Sequence, residues 1–113
     1  MDYLKYFQND KYQKGINDCW TLVQDIIRDE KGIDLPDCPI MTDYSPFESK
    51  LKSNFKYKVL NVAKEGCIVH FRCGKLEHIG YCLNDKKYIH KTFTKVEISD
   101  IPQNANIYEV LSD

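Results

Sequence analysis

The spacing of apolar residues divides the chain into a helical first third and a strand-rich second half. Between residues 18 and 31 the apolar residues recur at the spacing of one helical face: Cys19, Leu22, Val23, Ile26 and Ile27. This pattern predicts an α-helix, which Asn17 or Asp18 can cap because their side-chain oxygens accept backbone N–H groups. Gly32 stands where such a helix is expected to end. A shorter helix is expected over residues 2–8.

The second half carries strand signals separated by Gly, Pro, Asn and Asp. The predicted strands cover residues 55–62, 67–72, 76–83, 87–93, 95–98 and 106–111. We therefore expect an α+β fold in which the N-terminal helices pack on an antiparallel sheet of four to six strands, arranged as a meander. Residues 33–56 contain three prolines and little periodicity. They predict a long loop with one helical turn near residues 47–51, and a loop of this length in a small domain is usually functional.

Composition limits the possible functions. A chain of 113 residues has room for one core, so residues 1–113 are expected to form a single domain. The net charge of −1 gives no electrostatic reason to expect nucleic acid or an anionic membrane as partner. The first ten residues lack a basic stretch followed by an apolar run, which predicts that there is no signal peptide. The five cysteines are odd in number and irregularly spaced, and we interpret them as free thiols made in a reducing compartment.

Cys19 lies at the predicted start of the main helix. Unpaired backbone N–H groups and the positive end of the helix dipole stabilise a thiolate there, so the pKa of the thiol is expected to fall. The same N–H groups can hold a developing oxyanion. The alternative is that Cys19 is a small buried apolar residue, because it lies on the same stripe as Val23 and Ile26.

Two histidines on neighbouring predicted strands are candidates for the base and its partner. A cysteine nucleophile needs an imidazole to take its proton, and that imidazole needs an orienting group. A two-residue loop at Asn84-Asp85 would place His78 and His90 on opposite faces of the sheet, whereas a three-residue loop that includes Lys86 returns them to the same face. The alternative for each is a half-exposed or satisfied strand histidine.

A possible zinc site overlaps these residues. The four side chains in the spacing C-x2-H-x2-C-x4-H are Cys67, His70, Cys73 and His78. However, residues 67–72 alternate like a strand, which would point Cys67 and His70 to opposite faces. Zinc knuckles use a tight turn between closely spaced ligands. We therefore predict no structural zinc, and no motif calls for another cofactor.

Together the motifs resemble those of the NlpC-type family of papain-like cell-wall cysteine peptidases. The similar segments are Asp18-Cys19-Trp20-Thr21-Leu22, Gly66-Cys67, His78-Ile79-Gly80-Tyr81-Cys82-Leu83 and Tyr88-Ile89-His90. The resemblance spans about residues 12–92. The Asp-Cys-Trp variant, with a helix ending in Gly32-Ile33-Asp34-Leu35-Pro36, looks most like members encoded by phages beside tail genes.

The resemblance implies a papain-like fold and a division of roles among three residues. Cys19 would be the nucleophile, His78 the general base and His90 the residue that orients His78. Tyr12 and Trp20 are the candidate substrate-binding residues. The implied substrate is a peptidoglycan stem peptide, cut between γ-D-glutamate and a diamino acid. Without a signal peptide, the enzyme would be delivered to the wall by a phage tail or a secretion device, whose proteins would be its partners.

Three departures from the family pattern keep other functions open. Thr21 replaces a usual Gly, Cys67 replaces a usual Asp, and the glycine-rich lead-in is reduced to Gly15. One alternative is a non-catalytic tail-assembly or adaptor protein that retains the fold. Another is a papain-like amidase or acyltransferase on a different substrate. We expect residues 36–56 to border the substrate groove.

Overall fold

A computed structural model of the protein describes residues 4–7, 19–35, 56–73, 76–92 and 95–111. Two helices precede six strands in the chain. The elements are α1 (Leu4–Phe7), α2 (Cys19–Lys31), β1 (Tyr57–Leu60), β2 (Ile68–Cys73), β3 (Leu76–Cys82), β4 (Lys87–Lys91), β5 (Val96–Asp100) and β6 (Asn106–Val110). Each element lies within the segment predicted for it or differs from that segment by one or two residues at its ends.

The main helix begins at Cys19 and packs on β3 and β4. Its apolar stripe is buried, as the spacing of these residues predicts. Gly32 ends the helix with φ of 68°, a left-handed conformation that glycine adopts without steric cost. Its N–H donates to the carbonyl of Arg28 at 3.0 Å and so satisfies one of the last helical acceptors. The proposed caps, Asn17 and Asp18, lie outside the described residues.

All strand pairs are antiparallel, and their order across the sheet is β1-β6-β2-β3-β4-β5. This confirms an antiparallel sheet of four to six strands and corrects the expectation of a simple meander. Only β2 to β5 follow one another in space; β6 crosses back to lie between β1 and β2. The pairing joins residues far apart in the chain, such as Lys58 with Glu109, and no local pattern signals it.

Apolar side chains form two clusters, and alternation along the strands separates them. The first cluster lies between α2 and the sheet and includes Val23, Ile26, Ile79 and Ile89. The second cluster contains Ala63, Cys67, Val69, Cys82, Tyr88 and Ile107. Along β3 and β4, members of one cluster alternate with members of the other. The sheet is therefore buried on two faces, and only one of them faces α2.

Two of the candidate zinc ligands, Cys67 directly before β2 and His70 within it, follow the same alternation. Cys67 belongs to the second cluster. His70 lies opposite Ile79 in the β2–β3 pair and its ring lies beside that of Tyr108, a member of the first cluster. The two side chains thus point to different faces, which is the arrangement that the strand pattern predicted.

The described cysteines and helices can be compared with the sequence-based expectations in the same way. Within the part of the chain that the structure describes, Cys19, Cys67 and Cys82 are buried and outside any disulfide bond. Burial raises the pKa of the Cys67 and Cys82 thiols. Neither described helix combines the length and the apolar character needed to cross a bilayer.

Candidate active site

The β3–β4 hairpin is closed by a loop of three residues. Cys82 lies opposite Tyr88, and the N–H of Leu83 donates to the carbonyl of Lys87, which leaves residues 84–86 as the turn. The Asn84 side-chain oxygen accepts the backbone N–H groups of Lys86 and Lys87, each at 2.8 Å. This side-chain bridge is the reason an Asn suits the position, because it replaces backbone hydrogen bonds that the turn cannot make.

This loop length brings the two histidines together. His90 lies opposite Gly80, so His78 is its diagonal neighbour on the same face of the sheet. The Nε2 atom of His78 lies 2.7 Å from the Nδ1 atom of His90, within hydrogen-bond distance. The prediction that a three-residue loop restores a common face is confirmed, and the two side chains are in direct contact.

Aromatic rings enclose the pair. The Tyr88 ring stacks on the His90 ring with centroids 4.4 Å apart, and the Phe71 ring meets the edge of the His78 ring at 5.4 Å. Gly80 makes room for this arrangement. A Cβ atom at Gly80 would lie 2.4 Å from the Tyr88 ring and 2.7 Å from the Ile89 carbonyl oxygen. The glycine of the His-Ile-Gly segment therefore has a steric role beside the histidines.

The far side of His90 faces the edge strand β5. Its Nε2 atom lies 2.9 Å from the Ser99 hydroxyl and 3.5 Å from a carboxylate oxygen of Glu97. The register explains both contacts, because Glu97 lies opposite His90 while Ser99 lies opposite Tyr88, one diagonal step away on the same face. The other Glu97 oxygen lies 3.5 Å from the ammonium group of Lys95.

Burial keeps both histidines neutral near pH 7. Desolvation, with a smaller contribution from neighbouring His90, lowers the pKa of His78 from its usual 6.5 to about 4. Desolvation also lowers the pKa of His90, and Glu97 partly opposes this shift. A neutral imidazole has one nitrogen that can accept a proton, so the pair has the protonation state that a general base requires.

The contact with His90 also determines which nitrogen of His78 can meet a thiol. Nε2 is directed at Nδ1 of His90. Nδ1 of His78 is therefore the atom left for proton transfer. A histidine pair in contact like this can act as an oriented base, in which one imidazole accepts a proton and the second fixes the orientation of its ring.

The other predicted site residues are placed as follows. Cys19 is the first residue of α2, and both Cys19 and Trp20 are 2% exposed. Both belong to the first apolar cluster, whose members Ile79 and Ile89 alternate with His78 and His90 along the strands. By that alternation the two histidines lie on the face of the sheet opposite the first cluster, and the pairing of Cys19 with His78 stays a prediction. Tyr12 and residues 36–55 lie outside the described residues.

Sequence reasoning missed the residues that surround the histidines. Tyr88 and Gly80 were recognised as parts of motifs, but their contact depends on the hairpin register. Glu97 and Ser99 are two residues apart on β5 and therefore lie on the same face of the sheet as His90. This spacing of two was visible in the sequence. What could not be read was that both lie beside the histidine, because that requires the pairing of β4 with β5.

The sequence profile of the NlpC/P60 family matches residues 6–112, which include every residue proposed for the site. A search of curated proteins found no match to the chain. The small helical part and the six-stranded antiparallel sheet are consistent with an α+β fold of this kind. Members of the family are generally cysteine peptidases or amidases that act on peptidoglycan of the cell wall. Since the match covers nearly the whole sequence, the chain belongs to the NlpC/P60 family.

Proposed function

We propose that this protein is a papain-like cysteine endopeptidase that hydrolyses peptidoglycan stem peptides, with Cys19 as nucleophile and His78 as base. The observation that carries the proposal is the hydrogen bond between His78 Nε2 and His90 Nδ1. It joins two motifs that otherwise would each be an isolated strand histidine. Family membership and the position of Cys19 at the start of a helix of 13 residues support Cys19 as the nucleophile.

The proposed reaction has two stages. In the first, the Cys19 thiol gives its proton to Nδ1 of His78, and the sulfur attacks the scissile carbonyl carbon. The tetrahedral intermediate collapses to a thioester, while the His78 imidazolium gives its proton to the leaving amine. In the second stage, His78 takes a proton from water, and the resulting attack on the thioester releases the carboxylic acid and returns the proton to sulfur. No net charge is produced on the enzyme.

We further propose that the bond cut joins γ-D-glutamate to the diamino acid, and that the enzyme reaches the wall with a phage tail. Both statements rest on resemblance: the motifs are similar to those of stem-peptide endopeptidases, and the Asp-Cys-Trp helix start looks like that of phage members. Trp20 and Tyr12 are proposed to contact substrate, and residues 36–56 to border the groove.

The experiment is mass spectrometry of purified muropeptides after incubation with the protein or with Cys19→Ala. Endopeptidase activity predicts two products whose masses sum to that of the substrate plus one water, with the new ends on γ-D-glutamate and the diamino acid. Cleavage at the bond between sugar and peptide would assign an amidase instead. Unchanged muropeptides, with folded wild-type protein, would overturn the proposal.

A further inference from the structure

Which ring nitrogen of His78 carries the proton depends on its hydrogen bond with His90. In the hydrogen bond between His78 Nε2 and His90 Nδ1, one nitrogen donates and the other accepts. If His90 Nδ1 carries the proton, His78 Nε2 must accept. His78 then carries its own proton on Nδ1, the atom that has to receive one from the thiol. If His78 Nε2 carries the proton, its Nδ1 is a lone pair. Only the second tautomer is a base toward Cys19.

The tautomer of His90 therefore decides whether His78 can act. For His78 Nε2 to donate, His90 Nδ1 must accept, and neutral His90 then carries its proton on Nε2. That atom faces the Ser99 hydroxyl at 2.9 Å and Glu97 at 3.5 Å. A hydroxyl can donate or accept, so Ser99 is compatible with both tautomers.

Glu97 distinguishes between the two tautomers. An ionised carboxylate only accepts hydrogen bonds, so its oxygen beside His90 Nε2 favours a proton on that nitrogen. The second oxygen lies 3.5 Å from the Lys95 ammonium group, and this ion pair holds the side chain beside the histidine. Glu97 is half-buried while its neighbour along the strand, Ile98, is exposed, as expected if the carboxylate turns inward.

We propose that Glu97 is a positioning residue that selects the Nε2–H tautomer of both histidines and so leaves Nδ1 of His78 ready to accept a proton. The inference rests on the proposed function, in which His78 is the base. When His78 takes the Cys19 proton at Nδ1, its Nε2–H keeps donating to His90. No proton then moves between His78 and His90 or between His90 and Glu97. The Glu97 charge stabilises the imidazolium through the polarised His90 ring.

The test is the side-chain ¹H–¹⁵N correlation spectrum at neutral pH, which reports which ring nitrogen bears the proton. The chain has three histidines, so single-histidine variants suffice to assign the spectrum. We expect Nε2–H on both His78 and His90 in the wild type. In Glu97→Gln the ratio of Nε2–H to Nδ1–H at His90 should fall about fivefold to tenfold, because a charged acceptor is replaced by a neutral one.

The matched control is Asp100→Asn, which removes a carboxylate from the same edge strand. Asp100 pairs with Lys87 on the surface and its side chain is 81% exposed, so the spectrum should not change. Ser99→Thr retains the hydroxyl and should resemble the wild type. Nδ1–H on His90 in the wild type would overturn the inference, even if no variant folds. An unchanged tautomer ratio in folded Glu97→Gln would also overturn it.

Turnover separates this inference from the proposed function. Glu97→Gln should lower kcat about 10–100-fold with little change in KM, because the proposed role of Glu97 is exerted through His90 and not through substrate binding. The expected tautomers in a protein that cleaves no muropeptide would refute the proposed function and leave the role of Glu97 intact. Muropeptide cleavage with the opposite tautomers would refute only the role of Glu97.

Discussion

His78 and His90 lie one diagonal step apart across β3 and β4, with 2.7 Å between the Nε2 atom of the first and the Nδ1 atom of the second. The backbone of the hairpin sets this relationship, because the length of the loop decides whether two given residues on the paired strands lie on the same face of the sheet. The turn that fixes the register is therefore part of the site, and so are the small and aromatic residues that let the two rings meet.

The turn can be tested through Asn84. Asn84→Ala removes the acceptor of two backbone N–H groups and should lower the free energy of unfolding by about 1–2 kcal/mol in urea denaturation. Asn84→Asp keeps the acceptor and should lose less. Asp85→Ala is the control in the same exposed turn and should stay within about 0.5 kcal/mol of wild type. If the two alanine variants are equally stable, the Asn84 bridge does not hold the turn.

Gly80 should tolerate no side chain. Gly80→Ala forces the new methyl group against the Tyr88 ring and the Ile89 carbonyl, and should cost about 1–3 kcal/mol of stability. It should also shift the NMR signals of His90, because the Tyr88 ring is stacked on it. Gly32→Ala is the comparison: it meets no atom within 4 Å and carries only the strain of its φ of +68°. Unshifted His90 signals in Gly80→Ala would contradict the steric role.

Stability should fall in mild acid because desolvation lowers the pKa of His78 and of His90. A folded-state pKa of about 4 for His78, below its usual 6.5, means that the unfolded chain binds a proton first as pH falls. The folded state therefore loses stability from about pH 6.5 down to about pH 4, with a slope of up to about 1.4 kcal/mol per pH unit for each such proton.

Urea titrations across this window measure the effect. His78→Gln should flatten the pH dependence, since the titrating group is gone. Asp100→Asn, which changes an exposed carboxylate away from the pair, should leave the slope between pH 6.5 and 4 as it is in the wild type. An equal slope in wild type and His78→Gln would show that His78 is not held neutral by burial.

The histidines should contribute unequally to turnover. His78→Ala removes the proposed base and should lower the rate by roughly 10³–10⁶-fold. His90→Gln leaves a group that can still hydrogen-bond His78 Nε2, so its loss should be about 10–100-fold. Rates on one muropeptide, with circular dichroism to show that the variants fold, provide the comparison. Equal losses at the two positions would reject this division of roles.

Local patterns predicted much of this molecule, and pairing between distant segments accounts for most of what they missed. The helix from Cys19 to Lys31 follows from its apolar period and the glycine after it. The common face of His78 and His90 follows from counting residues around Asn84. In contrast, the insertion of β6 between β1 and β2 depends on contacts that no short segment encodes.

The same limit applies to the surroundings of the site. The contact of Glu97 with His90 depends on the register of the edge strand, and the fit of Tyr88 over Gly80 depends on how two strands twist past each other. The sequence displayed the alternation of these residues but not their partners. Motifs therefore identified the residues proposed for the chemistry, while the packing around them depends on the tertiary structure.

The central claim, that Cys19 is the nucleophile of a peptidoglycan peptidase, is tested most directly by the rate at which Cys19→Ala cleaves the muropeptide preferred by the wild type. Alanine keeps the small apolar character of this buried position, so the variant should fold, as circular dichroism would verify. The account predicts that the wild type cleaves and that the rate for Cys19→Ala is lower by at least about 10³-fold. Comparable rates for the two proteins would contradict it.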